Sequence, residues 1–249
     1  MRFFDANCFI GAPMIPGTHA PETAESLLAA MDRAGIERAL VWHVAQRDYE
    51  PLAGNAMLAQ EIEAHDRLMG VWTLLPTACG EIGEPDLWLE EAARRHVAAV
   101  RAFPDDNRYL LRAEALGDVL DALTERRIPL LLSCTSDAAW GPIYDLLAAF
   151  PKLTVILSDL RVWPCDRYFR PLLARYAGVH VETSMLLADG GIETFVTTCG
   201  PDRLIFGSGF PACYHGSAML ALAHADIDDR DKCAIASENL ERLIGEARL

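Results

Sequence analysis

Residues 115–158 read ALGDVLDALTERRIPLLLSCTSDAAWGPIYDLLAAFPKLTVILS, and this stretch decides the fold. In its first part Val119, Leu120 and Leu123 recur at helical spacing while Asp118, Asp121 and Glu125 turn to the other face. That pattern predicts an amphipathic helix. The runs IPLLL and LTVIL that follow are short and almost continuously apolar, as strands covered on both faces read. Between them WGPIYDLLAAF is again helix-like. Helix, strand, helix, strand in this order predicts parallel strands joined by right-handed crossovers.

The same alternation fills the rest of the chain. Strand-like runs are expected at 2–9, 37–44, 68–75, 97–103, 128–133, 153–158, 179–184 and 203–207, with amphipathic segments between them. Eight strand-helix units in 249 residues predict an α/β fold, a single-domain (β/α)8 TIM barrel over residues 1–249. A doubly wound open sheet is the alternative. No charged edge strand is evident to protect such a sheet, which favours closure. The Pro/Gly-rich patch GAPMIPGTHAP at 11–21 follows the first strand, where a barrel places an active-site loop.

Composition sets the outer bounds. With 51% hydrophobic residues the chain is too apolar for disorder and long enough to bury roughly 70–75% of its unfolded surface. The formal charge of −14 repels phosphate backbones and anionic lipid, so neither nucleic acid nor membrane is an expected partner; a small-molecule ligand is. No run of ~18 apolar residues spans a bilayer, and the N-terminal stretch lacks a signal-peptide core. Seven cysteines (Cys8, Cys79, Cys134, Cys165, Cys199, Cys213 and Cys233) form no CxxC pair. Reduced thiols in a cytoplasmic protein are the expectation, with no zinc framework.

Several stretches resemble, in order, the metal-dependent barrels of the amidohydrolase superfamily, closest to its decarboxylase-like and lactonase-like branch. FFDANCFIG at 3–11 resembles a first strand that usually reads Asp-x-His-x-His, and LLAAMDRAGIERALV the first helix and second strand. VRAFPDD resembles the strand-4 end and PKLTVILSDL a strand-6 segment that usually closes with His. DRLIFGSGFP resembles a strand-8 signature usually reading Gly-Ser-Asp-x-Pro, and SENLERLIG the closing helix. The resemblance implies this barrel, and one or two divalent metals at the strand ends activating water or polarising a carbonyl. Yet the usual ligand positions hold Asn7, Phe9, Ser133, Asp159 and Gly209. Only Asp159 is a strong ligand type, so no metal and no cofactor are expected at the mouth.

The candidate site is drawn from the strand ends. Asp159 and His43 are the candidate catalytic acid/base groups. Asn7, Phe9, Arg101, Ser133, Ser208, Gly209 and His215 are the candidate substrate-binding groups. Each has a plain alternative. His43 closes a strand as an ordinary hydrogen-bonded histidine, Asp159 pairs with Arg161, and Arg101 pairs with Asp159 or Asp105 instead of clamping a carboxylate. Cys134 is expected to be a packed, inert thiol. His19, His65, His96, His180 and His224 read as solvated or structural, and Trp42, Trp72, Trp140 and Trp163 as packing.

Three functions stay open on this reading. The first is a metal-free hydrolase- or lyase-type enzyme, or binder, for a small carboxylated or carbonyl compound. The second is a non-catalytic relative serving as a binding or structural subunit, for which a homo-oligomer with an apolar interface is allowed. The third is a metal-dependent hydrolase with relocated ligands, combining His215 or Cys213 with Asp159 and His43.

Overall fold

The computed structural model describes residues 1–14, 20–160 and 166–248. Eight parallel strands follow one another around the sheet in sequence order. They are β1 (Phe4–Ile10), β2 (Arg38–His43), β3 (Leu68–Thr73), β4 (Val97–Ala102), β5 (Leu130–Ser133), β6 (Val155–Ser158), β7 (Val179–Glu182) and β8 (Leu204–Ile205). The ring closes between the first strand and the residues after the last. Ala6 N donates to Phe206 O at 2.9 Å, Phe9 N to Phe210 O at 3.1 Å, and Cys8 bridges Phe210 in parallel register. Closure removes the sheet edges that an open doubly wound sheet would expose.

Helices cover the outside: α1 (Ala24–Ala34), α2 (Ala45–Asp48), α3 (Pro51–Ile62), α4 (Pro85–Arg94), α5 (Ala113–Arg126), α6 (Trp140–Ala149), α7 (Asp166–Arg175), α8 (Gly191–Cys199), α9 (His215–His224), α10 (Asp229–Cys233) and α11 (Asn239–Glu246). In α5 the buried residues are Leu116, Val119, Leu120 and Leu123, the stripe its spacing predicts. Before α1, Thr23 accepts from Ser26 N and Ser26 Oγ from Thr23 N, a reciprocal cap that starts the helix sharply. Asn239 Nδ2 donates to Pro201 O at 2.9 Å and Leu204 O at 2.8 Å, docking the closing helix beneath β8.

Alternation along the strands sorts the side chains into two layers. Phe4, Leu40, Val71, Ala99, Leu131, Ile156 and Ile205 fill the barrel interior, while Cys8, Val41, Val100, Leu132, Leu157 and Val181 pack outward against helices. Each fully buried aliphatic or aromatic side chain contributes about 1.5–3 kcal/mol. The interior is therefore packed, and the chemistry sits above it at the C-terminal strand ends. Most strands are shorter than expected; at their C-terminal ends β3 stops at Thr73, β7 at Glu182 and β8 at Ile205. At β7 the cause is local, because the Glu182 carboxylate captures Ser184 N at 2.6 Å and turns the chain off the ladder. Among the described residues no helix is long and apolar enough to cross a membrane.

Candidate active site

A cavity of about 890 Å³ opens at the C-terminal ends of the strands, and Asn7, Phe9, Arg101, Ser133, Asp159 and Gly209 all line it. One wall is aromatic. Phe9 lies 4.8 Å from Trp42 and Trp42 5.0 Å from Phe103, centre to centre. At the rim Arg47 pairs with Asp48 at 2.6 Å, and Asp48 Oδ2 accepts from Met14 N at 3.1 Å, which ties down the start of the loop after β1.

Arg101 is the hub of the floor. Alternation on β4 points Ala99, Arg101 and Phe103 inward, so the guanidinium rises through the barrel to its mouth with only 1% of its surface exposed. Nη1 donates to Asn7 Oδ1 at 2.9 Å, and Nη2 to Ser133 Oγ at 2.6 Å and to the Asp159 carboxylate. Its carbon lies 5.1 Å from the centres of both the Trp42 and Phe103 rings, whose faces offset part of its desolvation. Nε is buried without a partner.

Asp159 follows β6 in a left-handed conformation, φ +54°. Asp tolerates this better than most residues, at a cost of about 1–2 kcal/mol. The turn presents both carboxylate oxygens to the floor. Oδ1 accepts from Asn7 Nδ2 at 2.7 Å; Oδ2 accepts from Arg101 and from Ser133 Oγ at 2.8 Å. Burial alone would raise the Asp159 pKa, but Arg101, Asn7 and Ser133 outweigh it and hold the carboxyl below the usual range.

Sequence reasoning missed the second carboxylate. Glu182 ends β7, is 1% exposed, and is joined to Asp159 in two ways. Asn7 Nδ2 bridges them, reaching Glu182 Oε1 at 3.4 Å, and Asp159 N donates to the same oxygen at 2.8 Å. Ser184 Oγ, on the cavity wall, donates to Oε1 at 2.6 Å. Burial, then the neighbouring Asp159 charge, pushes the Glu182 pKa up to about 7. The signal was present in the sequence: Glu182 ends the apolar run VHVE as Arg101 and Asp159 end theirs.

Asn7 suits this place better than a histidine would. Its oxygen faces the cation and its NH2 reaches both carboxylates, a demand one imidazole cannot meet. Gly207 is fixed by the same carboxylate, since a Cβ there would lie 2.4 Å from Glu182 Oε2. Gly207→Ala is therefore expected to destabilise the fold by about 1–3 kcal/mol, as overpacking does. A denaturant titration comparing it with Gly216→Ala, whose Cβ would meet nothing within 4 Å, checks this.

Three candidate residues lie elsewhere. His43 alternates outward on β2, opposite in sense to Trp42, and its Nδ1 accepts from Ala45 N at 3.1 Å. It does not line the cavity. Ser208 is fully buried and bonded through N and Oγ to Asp5. His215 starts α9 behind β1, stacked on Phe210 at 3.9 Å. The combination of His215 or Cys213 with Asp159 and His43 is thus not assembled, since neither His43 nor His215 lines the cavity. Cys213 does line the cavity, and Cys134 is buried as expected. Arg161, His19 and Trp163 lie outside the described residues; the partner seen for Asp159 is Arg101.

The family's metal does not fit these residues. Both oxygens of Asp159 are already taken, a guanidinium lies among Asn7, Ser133 and Asp159, and Phe9 presents hydrocarbon against Trp42. An ion would meet two carboxylates whose oxygens are already engaged, and a fixed positive charge.

Comparisons with known proteins agree on the scaffold. The chain superposes on 5-carboxyvanillate decarboxylase from Novosphingobium aromaticivorans, solved with bound manganese, at a TM-score of 0.75 and 14% identity, covering 98% of this chain and 97% of that one. For 2,6-dihydroxybenzoate decarboxylase from Rhizobium the values are 0.72 and 16%, covering 98% of each. For a putative 2-pyrone-4,6-dicarboxylic acid hydrolase from Pseudomonas putida they are 0.70 and 18%, covering 100% and 99%. None of the curated proteins matches the sequence. The family model described as Amidohydrolase matches residues 8–245. With that match spanning the barrel from β1 to α11, the chain belongs to the amidohydrolase family.

Proposed function

We propose that this protein is an acid–base enzyme of hydrolase or lyase type, acting on a small carboxylated or carbonyl compound without a metal at the barrel mouth. The observation that carries the reading is the pair Asp159 and Glu182, two linked carboxylates whose surroundings drive their protonation apart. Such pairs divide acid and base roles. Arg101 supplies a fixed positive charge beside them, in a site walled by aromatic rings where charge acts more strongly than in water. Ser184 connects Glu182 to the cavity: when Glu182 carries its proton, the Ser184 hydroxyl accepts from it and turns its own hydrogen toward the ligand. Asp159, with 30% of its side chain exposed, touches the ligand directly. The decarboxylases and the hydrolase of the same fold support a carboxylated substrate class by analogy.

A second reading rests on a different feature. Arg101 and Asp159 spend most of their bonds on each other and on Asn7 and Ser133, as a purely structural network would. A non-catalytic binder fits that saturation. A turnover screen with small lactones, amides and aromatic carboxylic acids, run with and without added manganese or zinc, separates the readings. The proposal expects turnover that is indifferent to added ion and falls at least 100-fold in Asp159→Asn. Binding without turnover across the panel establishes the second reading, and turnover only with added metal contradicts both.

A further inference from the structure

We propose that Asp5, Cys8 and His215 form a closed site for a zinc-type divalent ion on the outer side of β1, separate from the cavity. Their ligand atoms all lie within 4.8 Å of one another, and they are the one such group of His, Cys, Asp and Glu found among the described residues. The bulge in β1 between Asp5 and Cys8 creates the site. It sends Asn7 to the mouth, while Cys8 packs outward toward α9, whose first residue is His215.

An ion explains an otherwise costly arrangement. His215 Nε2 is buried with no hydrogen-bond partner and lies 4.0 Å from Asp5 Oδ2. A buried nitrogen left unsatisfied carries its full desolvation penalty. Asp5 is wholly buried and, among the described residues, has no Arg or Lys within ion-pair distance. Its Oδ1 is held by Asn7 N at 3.0 Å and Ser208 N at 2.9 Å, which aims Oδ2 at His215. Stacking on Phe210 at 3.9 Å fixes the imidazole plane. Metal ligands are commonly oriented by such supporting contacts. The Ser208 hydroxyl, bonded to Asp5 and 3.9 Å from Cys8 Sγ, is the fourth donor in reach.

Sulfur, imidazole nitrogen and one carboxylate oxygen are a donor set that suits zinc better than magnesium or calcium. The charges also close. A divalent cation with one thiolate, one carboxylate, a neutral imidazole and a hydroxyl is neutral overall, which a buried site requires. Binding forms the metal–sulfur bond and releases the Cys8 thiol proton to solvent, one proton per ion. The site is closed to water, so its role is to pin α9 and the β8 end to β1, where the barrel closes.

The test is to produce the protein with zinc chloride in the medium, dialyse it, and measure zinc by elemental analysis. Cobalt substitution then gives a second readout. One zinc per chain and a sulfur-to-cobalt charge-transfer band are expected. Both should be lost in Cys8→Ala, and the retained metal should fall at least tenfold in His215→Gln, the second variant should the first not fold. Asp159→Asn should keep full metal content. Wild type without retained metal, or metal undiminished in both site variants, overturns the proposal. So does metal lost in Asp159→Asn alone.

Discussion

Asp159→Ala is expected to cost about 3 kcal/mol of stability, close to 10 °C in melting temperature for a chain of this size, and to cost more than Arg101→Met. The asymmetry follows from burial. Removing the carboxylate leaves a guanidinium with 1% exposure and no direct counter-charge. Removing the guanidinium leaves a carboxylate with 30% of its side chain exposed, which water rehydrates in part. Arg101→Met also keeps hydrocarbon against Trp42 and Phe103, so its cost is about 1–2 kcal/mol. Glu182 limits the first loss: without the Asp159 charge it ionises more readily and supplies a replacement anion through Asn7. The double variant should lie near Arg101→Met, well short of the sum. Urea melts of the four proteins decide it, and equal single-variant losses that add would dismiss the idea of a buried hub.

Glu182→Gln is expected to remove the neutral-pH dependence of both stability and turnover. The sign follows from the direction of the shift. A carboxyl held at about 7 in the folded protein, against its ordinary 4.5, binds its proton more tightly folded than unfolded. Its stabilising contribution is therefore complete below pH 4.5 and lost as pH rises to 7 and beyond, about 3 kcal/mol in total. Asp159 acts in the opposite sense: its lowered value stabilises above the ordinary 3.8 and that share is lost as acid protonates it. The wild type should be most stable in mild acid between these limits. In Glu182→Gln the fall toward pH 8 should flatten, leaving a pH-independent penalty from the amide facing Ser184 N. The rate profile should lose the limb near pH 7. A wild-type melting curve flat from pH 5 to 8 would sink this assignment.

The fold was legible because the two signals that decide it are local. All eight apolar runs became strands, and α5 buries the stripe its spacing predicts, since alternation and helical period depend on neighbours in sequence. The site was legible only in part. Asn7, Phe9, Arg101, Ser133, Asp159 and Gly209 could be named because a charged or polar group ending an apolar strand stands out, or because the family pattern marks the position. His43 and Ser208 obey the same rule yet face outward, because facing depends on strand phase: His43 alternates against the inward Trp42 on β2, and Ser208 lies beyond the early end of β8, tied to Asp5. Glu182 was hidden by its company: a carboxylate among Val179, Val181, Thr183 and Ser184 reads as the ragged end of a strand. The trio Asp5, Cys8 and His215 has no spacing signature, because its third member arrives from across the barrel seam.

Arg101 at the centre of the mouth, in the place where a divalent ion would need its ligands, is the claim on which the functional reading depends. A crystal structure grown with excess manganese, with anomalous diffraction recorded for that metal, tests it most directly. Guanidinium density bonded to Asn7, Ser133 and Asp159, with no anomalous peak among them, is the expected result. A peak coordinated by Asp159, with Arg101 displaced from the floor, would contradict it.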